Sequence, residues 1–328
     1  MNRAISPLRF NQMTALRAAI FAYRESVDIL ARCVATAVAA SDGDAVIDVM
    51  VNGNEPLATA LARRTPSIER AGVAVRVWQL APGDKSNAWN WYVHHVWSPA
   101  DLTVFLDGYV YAEPDAFRRL AAALARQPAS LAATGVPTRG PSAGRLRREM
   151  IEHGGLQGNL HALRRSTMEL IRARGFRLPV GTYRTDTVLG AALAFGMAPA
   201  DTRFDMHAHI AVAADATWDK HMEPWWTYRA LGGYLRRMRR QALGQLERRA
   251  ISFVFGVERR APERLPPTIE GLVLHWADNR PGEARKLAWR SPLTLRAMKA
   301  LRAGRDWQAA SIPPRLLETG PDDRRGTP

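Results

Sequence analysis

The stretch AVIDVMVNGNEPLATALARR, residues 45–64, decides the reading of the fold. Ala45 to Val51 is a short apolar run of strand length that stops at Asn52-Gly53-Asn54, residue types that tolerate left-handed backbone angles, and Leu57 to Arg64 then carries helical spacing. The same unit of strand, polar loop and helix recurs on both sides. Upstream, LRAAIFAY (16–23) runs into the polar turn Arg24-Glu25-Ser26 and a helical pattern through Ile29, Leu30, Cys33 and Val34. Downstream, Val73 to Leu80 ends at Pro82-Gly83 and is followed by a helix-like stretch from Ser86 to Val96, and LTVFL (102–106) ends at Asp107-Gly108. Strands alternating with helices at this rhythm predict βαβ units and a mainly parallel sheet flanked by helices. Ligands of such sheets bind beyond the carboxyl ends of the strands, so the loops at Tyr23 to Glu25, Asn52 to Asn54, Gly83 to Lys85 and Asp107 to Tyr109 are expected to share one site.

Farther along, Ser130 to Pro137 is a fifth apolar stretch, followed by a loop rich in Gly, Pro, Ser and Arg over 137–147. A Gly-rich loop at His153 to Asn159 leads to a helix expected over Leu163 to Arg174. Tyr183 to Phe195 begins polar and continues as a helix with Asp186 near its N-terminus, where the helix dipole favours a carboxylate. His207 and His209 alternate as if along a strand. Trp225 to Arg249 reads as a long basic amphipathic helix. Beyond Val257, prolines and mixed charge predict an appendage, with Gly320 to Pro328 as a frayed tail. The expected division is a main domain over 1–230 and a basic helical C-terminal extension over 231–328.

Composition narrows the function classes. With 328 residues, 47% of them apolar, the chain buries a substantial core, and a single cysteine, Cys33, cannot form an internal disulfide. No Cys/His cluster has zinc-ligand spacing. The N-terminus lacks the continuous apolar run of a secretory signal, and no stretch approaches the roughly 20 apolar residues of a membrane span, so a cytoplasmic protein is expected. Lys and Arg exceed Asp and Glu by 15, but only four of the 46 bases are lysines, and 21 of them fall between Thr227 and Pro328 against 10 acids. The basic surface belongs to the C-terminal third. No recognition motif accompanies it, so nucleic acid is not an expected partner.

Taken in order, IFAYRE (20–25), VNGN (51–54), GDKSNAWN (83–90), FLDGYV (105–110), GNLHALRR (158–165) and TDTVLG (185–190) resemble the family-2 glycosyltransferases, enzymes of the GT-A fold that use nucleotide-sugar donors. The resemblance covers about residues 15 to 250. It implies a donor site made by Ala22, Tyr23, Glu25, Asn52, Lys85, Asn90, Asp107, Gly108 and Tyr109. In the family the first strand ends in a proline-x-tyrosine-asparagine-glutamate stretch; here Glu25 is carried over while the proline and asparagine are lacking. Asn52 offers a donor and an acceptor that suit the imide edge of a base, and the Lys85 ammonium is a point charge for a diphosphate.

Phe105 to Tyr109 stands where the family carries an Asp-x-Asp metal site. The resemblance thus implies a divalent ion, Mn²⁺ or Mg²⁺, held through Asp107, although Tyr109 replaces the second acid. Glu113, His207 or His209 are the residues that a metal site would otherwise recruit. Asp186 corresponds to the family's catalytic base, with Thr185 in place of a preceding acid. Trp218, Trp225 and Trp226 are stacking surfaces or core anchors, and Arg239, Arg240, Gln241 and Gly244 echo a family segment that helps hold donor and acceptor. The implied activity moves a sugar, with inversion, from a nucleotide diphosphate to a hydroxyl of a glycan or lipid-linked saccharide, with an anionic membrane surface as a further partner. The alternative is a catalytically impaired accessory protein that keeps the fold, motivated by the departures at positions 24, 109 and 185.

Overall fold

The computed structural model describes residues 15–140, 142–221 and 228–318, with backbone only for 228–237 and for 239. Nine strands form one sheet: β1 (Leu16–Ala22), β2 (Ala45–Asn52), β3 (Val73–Leu80), β4 (Leu102–Asp107), β5 (Val110–Ala112), β6 (Ala132–Pro137), β7 (Leu160–Arg164), β8 (Ile210–Lys220) and β9 (Arg315–Leu317). The helices of its first half are α1 (Val27–Ala40), α2 (Glu55–Ala62), α3 (Lys85–Trp91), α4 (Ala116–Arg126) and α5 (Ala143–His153). Those of the second half are α6 (Arg165–Arg174), α7 (Thr185–Ala194), α8 (Met206–His209), α9 (Tyr228–Ser252), α10 (Ile269–Asn279), α11 (Pro281–Trp289) and α12 (Pro292–Ala303).

The sheet order is β5-β8-β6-β7-β4-β1-β2-β3-β9. The block β3-β2-β1-β4 is parallel, as the strand and helix alternation predicts, and its register sets Phe21 beside Asp107 and Met50. The other half is mixed, with β7 antiparallel to β4 and β6, and β8 parallel to β6.

Side-chain alternation builds two cores. Along β1, Ala18, Ile20 and Ala22 face the layer of α1, α2 and α4, while Ala19 and Phe21 face the other layer. The first three βα turns are fixed by polar caps: Ser26 Oγ accepts from Ile29 N at 3.4 Å, Asn54 Oδ1 from Leu57 N at 3.1 Å, and Asp84 Oδ1 from Asn87 N at 2.7 Å.

Three expectations are corrected. The GNLHALRR segment is a strand, β7, before it is a helix: Leu160 and Ala162 alternate with His161 and Leu163 at the two-residue period, and the apolar pair is short enough to pass for the start of the helix. His207 and His209 lie in the short helix α8, whose N-cap Asp205 accepts from Ala208 N, so they do not alternate along a strand. The segment beyond Val257 is packed: Trp276 of α10 is 1% exposed, Leu272, Val273 and Leu301 join the second core, and β9 adds an antiparallel strand to β3. Helix α9 runs across residue 230, and its Leu246, Ala250 and Ile251 enter the same core as Phe21 and Phe105. The proposed tail over 320–328, Trp225 and Trp226 lie outside the described residues. Among the described residues no helix is long and apolar enough to cross a membrane.

Candidate active site

A cavity of about 710 Å³ opens beyond the carboxyl ends of β1, β2, β3 and β4. Its walls bring together Ala22, Tyr23, Glu25, Asn52, Lys85, Asp107, Tyr109 and Asp186. Two glycines let the loops close on one another. Gly53 has φ +66°, and a Cβ there would lie 2.5 Å from the Gly83 Cα; a Cβ on Gly83 would lie 2.6 Å from the Tyr23 ring. The loops after β2 and β3 therefore touch backbone to backbone, beneath the Tyr23 ring.

On the β1 and β2 side, Glu25 Oε2 accepts from the backbone N–H of Tyr23 at 2.6 Å and of Arg24 at 2.9 Å, bracing its own turn in place of the absent proline. The Arg24 guanidinium lies over the Tyr23 ring, 4.6 Å from its centroid. The Asn52 amide donates to Ala22 O at 2.6 Å, and the Asn54 amide to Tyr23 O at 2.8 Å, so the ends of β1 and β2 are tied by side chains as well as by the ladder.

At the cavity centre, Lys85 Nζ is paired with Asp107 Oδ1, and the Tyr109 hydroxyl lies 3.0 Å from Asp107 Oδ2 and 3.3 Å from Asn159 Oδ1. The Asp107 charge, then burial, raises the Tyr109 phenol well above its ordinary value. Tyr109 is therefore a hydroxyl donor to Asp107. Among the described residues no group of three or more His, Cys, Asp or Glu is placed to hold an ion. Asp107 nevertheless fits a hard cation as one oxygen ligand, because a shell of about six is completed by substrate phosphates and waters when one carboxylate is present.

Asp186 is supplied from the opposite wall by the first turn of α7. Its Oδ2 accepts from Gly158 N at 3.3 Å and its Oδ1 from Thr187 N at 3.0 Å. A Cβ on Gly158 would sit 3.4 Å from Lys85 Nζ and 3.5 Å from Asp186 Cγ, so this one glycine separates the cation from the carboxylate. Burial raises the Asp186 carboxyl above the ordinary carboxylate range; Lys85 opposes the rise and Asp107 adds to it.

Two buried carboxylates hold the loop that leads into α7. Asp84 Oδ2 accepts from Gly181 N at 3.0 Å, while Glu247 of α9, fully buried, accepts from Tyr183 N at 2.8 Å and Arg184 N at 3.1 Å. Burial pushes the Glu247 carboxyl up to about 7 against the pull of those two N–H groups and of Arg184, and Asp186 adds to the rise. The same wall carries Arg184 and Arg240, the latter stacked 5.5 Å from the Tyr183 ring centroid, and Arg305 from the segment after α12. Gly244 lets Arg184 lie against α9, since a Cβ there would meet Arg184 Nε at 2.8 Å.

Two predicted donor residues do not line the cavity. Asn90 is buried and spends its amide on Leu178, donating to its carbonyl and accepting from its N–H, both at 2.8 Å. Gly108 is a packing residue whose Cβ would lie 2.9 Å from the Ala22 Cβ. Glu113, His207 and His209 also lie away from the cavity, and Trp218 is a core residue of β8. Residues that the sequence reading left without a site role are Asp84, Gln157, Asn159, Tyr183, Glu247 and Arg305. Asp84 had a readable signal, as an N-cap two residues after a strand-end proline, whereas Glu247 and Arg305 reach the site only through tertiary packing.

No known family model matches the chain, and no curated protein matches it in sequence. In structure it is similar to the mannosyltransferase PcManGT of Pyrobaculum calidifontis, solved with GDP-Man and Mn²⁺, at 16% identity over 90% of this chain and 77% of that one, with a TM-score of 0.52. The chain has the GT-A fold. Other similar structures are residues 1–349 of S. aureus TarS with UDP-GlcNAc, at 12% identity over 90% of this chain and 93% of that one (TM-score 0.45), and glucosyl-3-phosphoglycerate synthase of Mycobacterium tuberculosis with Mg²⁺ and UDP, at 17% identity over 74% and 80% (TM-score 0.46). With that fold, the cavity over β1 to β4 lies where open α/β sheets take their ligands.

Proposed function

We propose that this chain is a glycosyltransferase that moves a sugar from a nucleotide-diphosphate donor to a hydroxyl of a glycan or lipid-linked saccharide. The observation that carries the reading is the juxtaposition of Lys85 and Asp107 with Asp186 across Gly158, in a cavity whose far wall holds Tyr23, Glu25 and Asn52. Tyr23 and Asn52 would receive the nucleotide base, which leaves the diphosphate beside Lys85. The similar mannosyltransferase was solved with a nucleotide sugar and Mn²⁺, which supports the same class of donor here.

In the transfer, the acceptor oxygen bonds to the anomeric carbon as the bond from that carbon to the phosphate oxygen breaks. The diphosphate leaves with the electron pair. Asp186 takes the acceptor proton, and its raised proton affinity makes it a stronger base than an ordinary carboxylate. Attack from the side opposite the leaving group gives inversion. The Lys85 ammonium, released from Asp107, neutralises charge that develops on the departing phosphate. A divalent ion would be held by Asp107 together with donor phosphates, and when bound it would supply further neutralisation of the diphosphate.

The test is a panel of UDP, GDP, CDP and dTDP sugars with purified protein. Transfer or slow hydrolysis of one donor is expected. An Asp186→Asn protein should lose about 100-fold or more of that rate while the matching nucleotide still raises its melting temperature. Absence of stabilisation by all four nucleotides in folded protein would remove the proposal and favour the accessory-protein reading.

A further inference from the structure

The sequence places a basic amphipathic surface on α9, and the described half of that helix is two-sided: Ala242, Leu246, Glu247, Ala250 and Ile251 are buried, while Arg240, Arg248 and Arg249 are exposed. A second outward basic surface, which also carries exposed apolar side chains, lies on α11 and α12. Helix α11 turns Ala284 and Ala288 inward, and α12 turns Thr294, Met298 and Leu301 inward. On the opposite stripe of α11 stand Arg285 and Lys286, and one turn later Trp289, which is 84% exposed. On that of α12 stand Leu295, 41% exposed, with Arg296, Lys299 and Arg302. Residues 281–303 hold six bases, with Arg290 between the helices, against one acid, Glu283. None of the six is ion-paired among the described residues, whereas the neighbouring Arg305 is paired with Glu270 at 3.3 Å.

We propose that the outer stripes of α11 and α12 dock this protein on an anionic membrane surface. A tryptophan left almost wholly in water has an unsatisfied apolar ring, and the headgroup region of a bilayer accepts both its ring and its N–H. Bases set around it add electrostatic attraction to anionic lipids. Exposed apolar side chains set among the charges favour a bilayer over nucleic acid, where phosphate contacts alone would call for the bases. The surface is also joined to the site, because α12 ends two residues before Arg305, which lines the cavity. A lipid-linked acceptor would then be presented near Asp186. That last step rests on the transferase reading, whereas the docking itself does not.

The experiment is co-sedimentation of the full chain with vesicles of phosphatidylcholine alone and with a third of phosphatidylglycerol. Binding to the anionic vesicles, weakened by salt, is expected, with little binding to the neutral ones. Replacing Arg285 and Lys286 together by Gln should weaken it about 30-fold, at about 1 kcal/mol for each base. Trp289→Ser should weaken it while leaving the salt dependence in place. Melting temperature and the stabilisation by nucleotide should be unchanged in both variants, so loss of the donor site and loss of docking are read separately. The proposal is overturned if the native chain ignores anionic vesicles, if both variants bind as it does, or if a random DNA duplex displaces the vesicles and binds Trp289→Ser protein undiminished.

Discussion

Replacing Glu247 by Gln probes a fully buried carboxylate that holds the loop leading into α7. In the folded chain its carboxyl is pushed from an ordinary 4.5 up to about 7. At about 1.4 kcal/mol for each tenfold change in proton affinity, that amounts to about 3 kcal/mol of stability that depends on pH. The direction follows from which state holds the proton. Between about pH 4.5 and 7 the folded protein keeps it while the unfolded chain releases it, so stability is fully present below 4.5 and is lost as pH rises through 7. Groups facing Glu247 are the backbone N–H of Tyr183 and Arg184, the Arg184 guanidinium and Asp186, and none of these changes in the variant. The assay is urea unfolding of native and Glu247→Gln protein at intervals from pH 4.5 to 8. Asp48, Asp84 and Asp186 also have raised carboxyls and slope the same way, so the difference between the two proteins isolates Glu247. The variant should gain about 3 kcal/mol relative to native protein across the window. Parallel curves would refute the argument. In transfer assays the same variant should lower kcat, because a neutral amide holds the Tyr183–Arg184 backbone less firmly than a carboxylate, with nucleotide affinity unchanged.

Lys85→Met should weaken binding of the stabilising nucleoside diphosphate by about 10- to 150-fold, the worth of one charge-assisted hydrogen bond, as read by calorimetric titration. Unchanged affinity would move the diphosphate away from the Lys85–Asp107 pair. Mn²⁺ alone should leave the melting temperature unmoved, since Asp107 is the single carboxylate at that position and both its oxygens are engaged, while Mn²⁺ added with the nucleotide should raise it further than the nucleotide alone. A shift with Mn²⁺ alone would place a complete metal site somewhere else in the chain.

The parallel half of the sheet was readable because each of its parts is local. An apolar run of strand length, a polar turn (Arg24-Glu25-Ser26, Asn52-Gly53 or Pro82-Gly83) and a capped helix are all encoded within about 25 residues, and β1 to β3 with α1 to α3 follow that pattern. Strand β7 was hidden because its five residues abut α6 without a turn residue between them. The packed C-terminal third was hidden for a different reason: Pro262, Pro266, Pro267 and Pro281 read as breakers, yet Pro262 and Pro281 open the short helical turn at 262–264 and α11, where a missing N–H costs nothing.

The same division runs through the site. The wall over β1 to β4 consists of residues at or just past strand ends, and a strand end announces itself in sequence by the polar residue that stops an apolar run; Glu25, Asn52, Lys85 and Asp107 stand out this way. The opposite wall carries Asp186, Arg184, Arg240 and Arg305, with Glu247 buried behind it, drawn from α7, α9 and the segment after α12, and of these Asp186 and Arg240 alone stand in stretches with a family echo. Asn90 and Glu247 make the point together. Asn90 sits in the better motif, but its amide closes a backbone gap at Leu178, while Glu247 sits in an arginine-rich helix, three residues past the family-like stretch, and holds the loop that leads to Asp186. A carboxylate buried in such a helix carries a desolvation cost that only donors can offset, and here two backbone N–H groups from a loop more than sixty residues earlier donate to it and offset part of that cost. That long-range pairing is why most of the wall around Asp186 could be seen only in the folded chain.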